Sequence, residues 1–189
     1  MCKIIERFFK QVLAKIRDPR KPTRQTDRSM TDEELARKHY WLADDCWEVF
    51  DIVGAIKHLR RSIVLDPAFA KAHCFLCRLL EKRGLRAELL IQLEILRSLE
   101  SDNNTTTRFI ADQLIEIGLF QRALEELKRI VTEDNLPYTT YLFARSYEGL
   151  RDWENAILYY EKAVEQDYTS GDGFQVPDRL MQLKRDHQR

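Results

Sequence analysis

The sequence predicts an all-α fold, an α-solenoid of about four stacked helical hairpins, and three observations predict it. The stretch from Pro137 to Tyr168, PYTTYLFARSYEGLRDWENAILYYEKAVEQDY, reads as two amphipathic helices joined by a tight turn. The same frame recurs in copies beginning near Ala36, Ala70, Asn104 and Pro137, at steps of 34, 34 and 33 residues. Small and large residues alternate within it: Ala144, Ala156 and Ala163 fall where two helices must approach closely, and Phe143, Tyr147, Trp153 and Tyr160 fill the space between them.

The register holds slot by slot. Leu42, Leu76, Ile110 and Phe143 share one position of the first helix, and Ala43, Cys77, Ala111 and Ala144 share the next. In the second helix Ala55, Leu89, Ala123 and Ala156 correspond, followed four residues later by Leu59, Leu93, Leu127 and Tyr160. Gly84 and Gly118 stand at the hairpin turn, where positive φ is useful. Together these residues resemble the tetratricopeptide repeat family, whose period is about 34. The run ENAILYYEKAVEQD is similar to its usual second helix, and LDP at Leu65–Pro67 to its usual exit. The resemblance covers residues 36–168 and implies a right-handed solenoid, with repeats at about 36–69, 70–103, 104–136 and 137–168 inside a domain of 31–168. Three departures stand out. The first slot for a bulky aromatic holds His39, His73, Thr107 and Thr140, Phe50-Asp51-Ile52 replaces the glycine turn, and the second copy puts Leu89 and Leu96 where small residues belong. The last of these predicts helices further apart and a local change of curvature.

With 189 residues, 44% hydrophobic and 33% charged, the chain is expected to be one folded unit of ordinary helical composition. No apolar run approaches the roughly 18 residues of a spanning helix, and charge interrupts the N-terminal apolar positions, so no secretory signal is expected. The net charge of zero hides an asymmetry. Residues 1–30 carry nine Lys and Arg against three acidic residues, a net of +6, and the rest carries 22 basic against 28 acidic groups, a net of −6. Four cysteines without an export signal point to a reducing, cytoplasmic setting.

Residues 1–17 predict a separate amphipathic helix. Ile4, Ile5, Phe8, Phe9, Val12, Leu13 and Ile16 recur at helical spacing, with Lys3, Arg7, Lys10, Lys15 and Arg17 on the flank. That apolar face calls for a cover: the solenoid, a second copy by self-association, or a membrane surface whose anionic lipids meet the cations. Residues 18–30 follow as a flexible linker broken by Pro19 and Pro22. Thr31 and Glu34 have the spacing of a capping box and start the next helix. Residues 169–189 form a loop and a capping helix with Pro177 as its first residue, Leu180, Met181 and Leu183 covering the last repeat, and Lys184 to Arg189 facing solvent.

No catalytic constellation is present: no phosphate-cradling glycine loop, no nucleophile elbow, no metal-binding helix of the H-E-x-x-H kind. An enzyme, a cofactor and a metal are therefore not expected. The segment HCFLC places His73, Cys74 and Cys77 together, but zinc wants four ligands and Cys77 falls in a packing slot. Function is expected on the concave face, which the resemblance assigns mainly to the first helix of each hairpin. Carried over by slot, that face holds Arg37, Tyr40, Asp44 and Trp47, then Lys71, Cys74, Arg78 and Glu81. The third repeat adds Thr105, Arg108, Asp112 and Ile115, and the fourth Tyr138, Tyr141, Arg145 and Glu148. Arginine grips a carboxylate with two bonds and aromatic rings pack apolar side chains, so the expected partner is a protein or peptide, partly acidic and partly apolar. A chaperone-tail carboxylate clamp is not expected. Its slots hold Tyr40, Asp44, Phe75, Thr105 and Phe109 in the first three repeats, or Cys74, Arg78, Phe109, Tyr138 and Leu142 in the last three. The leading reading is thus a non-catalytic adaptor or scaffold acting in complex assembly. The alternatives are a peripheral membrane protein recruited by residues 1–17, and an RNA-binding repeat, which the acidic body opposes.

Overall fold

The computed structural model describes residues 30–130, 136–166 and 176–187. The expected helix at 1–17, with Ile4 to Ile16, lies outside the described residues, as does most of the linker after it. Among the described residues the chain is helical throughout, without a strand. The helices are α1 (Asp32–Glu48), α2 (Ile52–Leu65), α3 (Ala70–Lys82), α4 (Arg86–Leu99), α5 (Asn104–Glu116), α6 (Phe120–Leu127), α7 (Pro137–Gly149), α8 (Trp153–Glu165) and α9 (Val176–His187). The fold is an all-α solenoid of helical hairpins, and α2, α4, α6 and α8 begin 34, 34 and 33 residues apart. Only α1 departs from the beat. It starts a turn before Ala36, because Thr31 and Glu34 close a reciprocal capping box there: Thr31 N–H donates to Glu34 Oε2 at 2.8 Å, and Glu34 N–H to Thr31 Oγ1 at 3.2 Å.

Four hairpin turns share one device. Phe50, Gly84, Gly118 and Arg151 have φ of 61°, 66°, 76° and 60°. At each, the following N–H reaches five residues back: Asp51 to Cys46 O (2.8 Å), Leu85 to Leu80 O (2.9 Å), Leu119 to Leu114 O (2.8 Å) and Asp152 to Tyr147 O (3.0 Å). Each left-handed residue also donates to the carbonyl three before it, as in Gly84 to Glu81 at 2.8 Å. This is the Schellman closure, which satisfies carbonyls that the helix end leaves open. Asp51 and Asp152 then cap α2 and α8, accepting from Gly54 N–H (2.8 Å) and Asn155 N–H (3.3 Å).

The helices cluster into two compact units, one ending at Ile95 and the other starting at Leu96, where length alone suggests one. A solenoid makes this natural, since each hairpin touches only its neighbours. In the first unit α2 packs on both α1 and α3. In the second, successive helices from α5 to α9 pack in turn, and α5 also touches α7. The small slot is closed throughout: Ala43, Cys77, Ala111 and Ala144 are all fully buried, as are Ala55, Leu89, Ala123 and Ala156. A hydroxyl stands at one such approach, where Ser62 Oγ donates to the Ala36 carbonyl at 2.7 Å.

The slot expected to hold an aromatic holds polar cross-hairpin pairs in the first two repeats. His39 Nδ1 lies 3.0 Å from His58 Nδ1 with the rings stacked. His73, buried, lies 2.7 Å from Gln92 Oε1 through Nδ1 and 3.0 Å from the Pro67 carbonyl through Nε2. The Pro67 carbonyl can only accept, so Nε2 is the donor of that bond. The capping helix differs from expectation in two places. It opens at Val176, which is buried, rather than at Pro177, and Leu183 is buried while Met181 is 53% exposed. Met181 lies outside the 3–4 spacing that brings Val176, Leu180 and Leu183 to the core.

Candidate partner-binding faces

In the first unit the first-helix residues build an aromatic face. The Tyr40 ring lies 5.3 Å from Phe69 and 6.0 Å from Phe75, and Trp47 meets Phe75 edge-on at 6.5 Å. Lys82 Nζ stands 5.7 Å over the Trp47 ring. Tyr40 and Trp47 stay half-buried, so each offers part of a ring while its neighbours fix its angle. Burial, with Asp44 adding, pushes the Tyr40 phenol up, so it is a neutral donor near pH 7. Arg37, Lys71 and Arg78 are exposed, Asp44, Cys74 and Glu81 half-buried, and Arg37 pairs loosely with Glu33 at 3.8 Å.

The second unit carries a cleft of about 600 Å³. Tyr141, Arg145 and Glu148 of α7 line it, with Phe120, Trp153 and Arg179 from α6, α8 and α9. Arg145, Glu148 and Arg179 are already matched. Arg145 Nη1 lies 2.9 Å from Glu116 and 3.7 Å from Asp112, and its guanidinium sits 5.8 Å over the Tyr141 ring. Burial opposes that charge, but the Glu116 hydrogen bond and the neighbouring anions outweigh it, so the Arg145 pKa is raised. Glu148 accepts from Tyr160 OH at 2.6 Å and from Arg179 Nε at 2.9 Å. Burial first, then that hydrogen bond, holds the Tyr160 phenol protonated. Arg108 is buried at 8% exposure and donates to Thr105 Oγ1 at 3.2 Å. Tyr141 and Ile115 are buried, Tyr138 and Asp112 half-buried, and Thr105 exposed.

The structure therefore brings Tyr40 and Trp47 together, and separately Tyr141, Arg145 and Glu148. It adds Phe69, Phe75, Glu116, Phe120 and Arg179, which slot-by-slot reading missed. Phe75 lies one residue from the assigned Cys74, and Arg179 sits on a helix with no slot in the repeat. Among the described residues no group of three or more His, Cys, Asp or Glu could hold a metal ion. No helix there is long and apolar enough to cross a membrane.

No protein-family model matches the chain, and no curated protein matches it. Solved structures do. MamA 41-end from Desulfovibrio magneticus RS-1 superposes with a TM-score of 0.64 at 16% identity, over 82% of this chain and 98% of that one. A crystal structure of MamA protein gives 0.64 at 18% identity, over 80% and 83%. At such identities the likeness is one of fold: this chain shares its arrangement of stacked helical hairpins with those structures.

Proposed function

We propose that the chain is a tetratricopeptide-type adaptor, which holds a segment of a partner protein against its first-helix faces and works in the assembly of a protein complex. The observation that carries this is the Tyr40–Phe75–Trp47 face. Large rings are held at fixed angles yet left half-exposed, with Lys82 over Trp47 and Arg78 near Tyr40. Such rings bury an apolar side chain at low entropy cost, and the cations select acidic neighbours on the same segment. The fold supports this reading, because repeated hairpins present side chains in rows that suit an extended or helical peptide. Arg145, paired with Glu116 and Asp112, contributes by exchanging one carboxylate partner for another.

The test is capture of partners from the native cell by the full chain, with identification of what binds, beside a Tyr40→Ala, Trp47→Ala variant. The variant should keep its helical circular dichroism and lose a partner that the natural chain retains. Unchanged capture of every partner would show that this face is the wrong surface. A second reading rests on the basic apolar pattern of residues 1–17, which fits a peripheral membrane protein. Equal pelleting with anionic vesicles by the full chain and by a form lacking residues 1–17 would remove it.

A further inference from the structure

The second helix of the first hairpin carries its own cleft, of about 560 Å³, which shares no residue with the aromatic face described above. Ile56, Val64 and Leu85 give it an apolar lining, and Lys57, Arg61 and Arg83 surround that lining with cations. Arg60 is already engaged: its Nη2 donates to both carboxylate oxygens of Glu88, at 2.8 and 2.7 Å. Lys57, Arg61 and Arg83 are exposed, and no ion pair joins them to a carboxylate among the described residues. The stacked pair of His39 and His58 also lines the cleft. Two imidazole nitrogens at 3.0 Å suggest a metal, but surrounding cations disfavour a divalent ion, and among the described residues no group of three or more ligands is present.

We infer that this cleft docks an acidic segment of a partner protein, one that carries an apolar side chain between its carboxylates. Charge complementarity selects that occupant. Lys57 and Arg61 lie one helical turn apart, about 5–6 Å between Cβ atoms, which matches carboxylates spaced along a peptide better than one compact anion. Ile56, Val64 and Leu85, which line the same cleft, seat the intervening side chain. The chain's own residues 1–30 carry a net charge of +6 and are repelled by the same cations. The inference stands independently of the first-helix faces.

The probe is a fluorescein-labelled peptide of repeated Glu-Leu-Glu units, read by fluorescence anisotropy on the full chain at low salt. The controls are the same peptide with Lys for Glu and with Ser for Leu. The acidic apolar peptide should bind, the Lys form should not, and the Ser form should bind several-fold more weakly. Arg61→Glu with Arg83→Glu should weaken binding about tenfold, because each exposed ion pair is worth up to about fivefold and two repulsions replace the pair lost at each site. The loss caused by Arg61→Glu with Arg83→Glu should be the same in a Tyr40→Ala, Trp47→Ala background as in the natural one. Both charge changes lie on exposed side chains, and an unaltered thermal melt confirms the fold. Absent binding to the natural chain, equal binding to the charge-reversed variant, or loss only in the aromatic variant would each overturn the inference. So would a natural chain that dimerises in sedimentation while the charge-reversed variant does not, since the occupant would then be a second copy.

Discussion

Replacing Gly84 or Gly118 by Ala, and Phe50 or Arg151 by Gly, should move stability in opposite directions. All four residues close a helix in the left-handed region, at φ between 60° and 76°. A side-chain-bearing residue there costs about 1–2 kcal/mol through the clash of Cβ with its own carbonyl. Against this, an Ala in place of Gly narrows the unfolded ensemble and returns about 0.4–1 kcal/mol. A Cβ built on Gly84 or Gly118 meets nothing within 4 Å, so no packing contribution enters. The net is a loss of about 1 kcal/mol for Gly84→Ala and for Gly118→Ala. Phe50 is 83% exposed, so removing its ring forfeits little burial and Phe50→Gly should gain about the same amount. Arg151→Gly should follow in sign. Urea unfolding followed by circular dichroism reads these as midpoint shifts at constant slope. A neutral Gly84→Ala, or a destabilising Phe50→Gly, would show that these turns are held by contacts and not by backbone conformation.

Two further outcomes follow from close approaches. A Cβ on Gly149 would stand 2.4 Å from the Phe120 ring, which lines the cleft beside Arg145. Gly149→Ala should therefore cost about 1 kcal/mol, overpacking outweighing helix propensity, and Phe120→Ala should rescue it non-additively in a double-mutant cycle. Cys77 is fully buried, and that burial, with Cys74 adding, pushes its thiol well above the ordinary range. Iodoacetamide at mildly alkaline pH should alkylate Cys46 and Cys74 in the folded chain and reach Cys77 only in urea, as peptide mass mapping would read; equal rates in the folded state would contradict that burial.

The beat of the repeat was legible in the sequence because it is written in side-chain volume. Ala43, Cys77, Ala111 and Ala144 recur in step, and each is fully buried. The turns were half legible. Glycine announces a left-handed residue at Gly84 and Gly118; the repeat step puts Phe50 and Arg151 in the same slot, but their residue types do not announce that conformation, which the closing hydrogen bonds to the end of the preceding helix accompany. The candidate faces were legible as positions and not as states. Arg145 shares a slot with Arg78, and Arg108 stands one slot earlier, yet Arg108 is buried against Thr105, Arg145 is taken by Glu116, and Arg78 is exposed. Slot arithmetic gives direction along one helix. It cannot say which acid on the neighbouring helix will be within reach, nor that a capping helix will bring Arg179 to Glu148.

The first hairpin gathers departures from the repeat pattern, and they are connected. His39 stands where a bulky aromatic is expected, His58 faces it, Phe50 replaces a turn glycine, and Ser62 takes a small apolar position. A buried polar group is costly unless it is bonded: Ser62, fully buried, donates to the Ala36 carbonyl, and the half-buried imidazoles meet each other. Two imidazoles in contact fill less volume than an indole packed on an aliphatic partner. Both imidazoles line the second-helix cleft, together with Lys57, Arg61 and Arg83. Polar substitution at a packing slot therefore need not only weaken a repeat; when its bonds are satisfied, it can exchange interior volume for a surface with chemistry of its own.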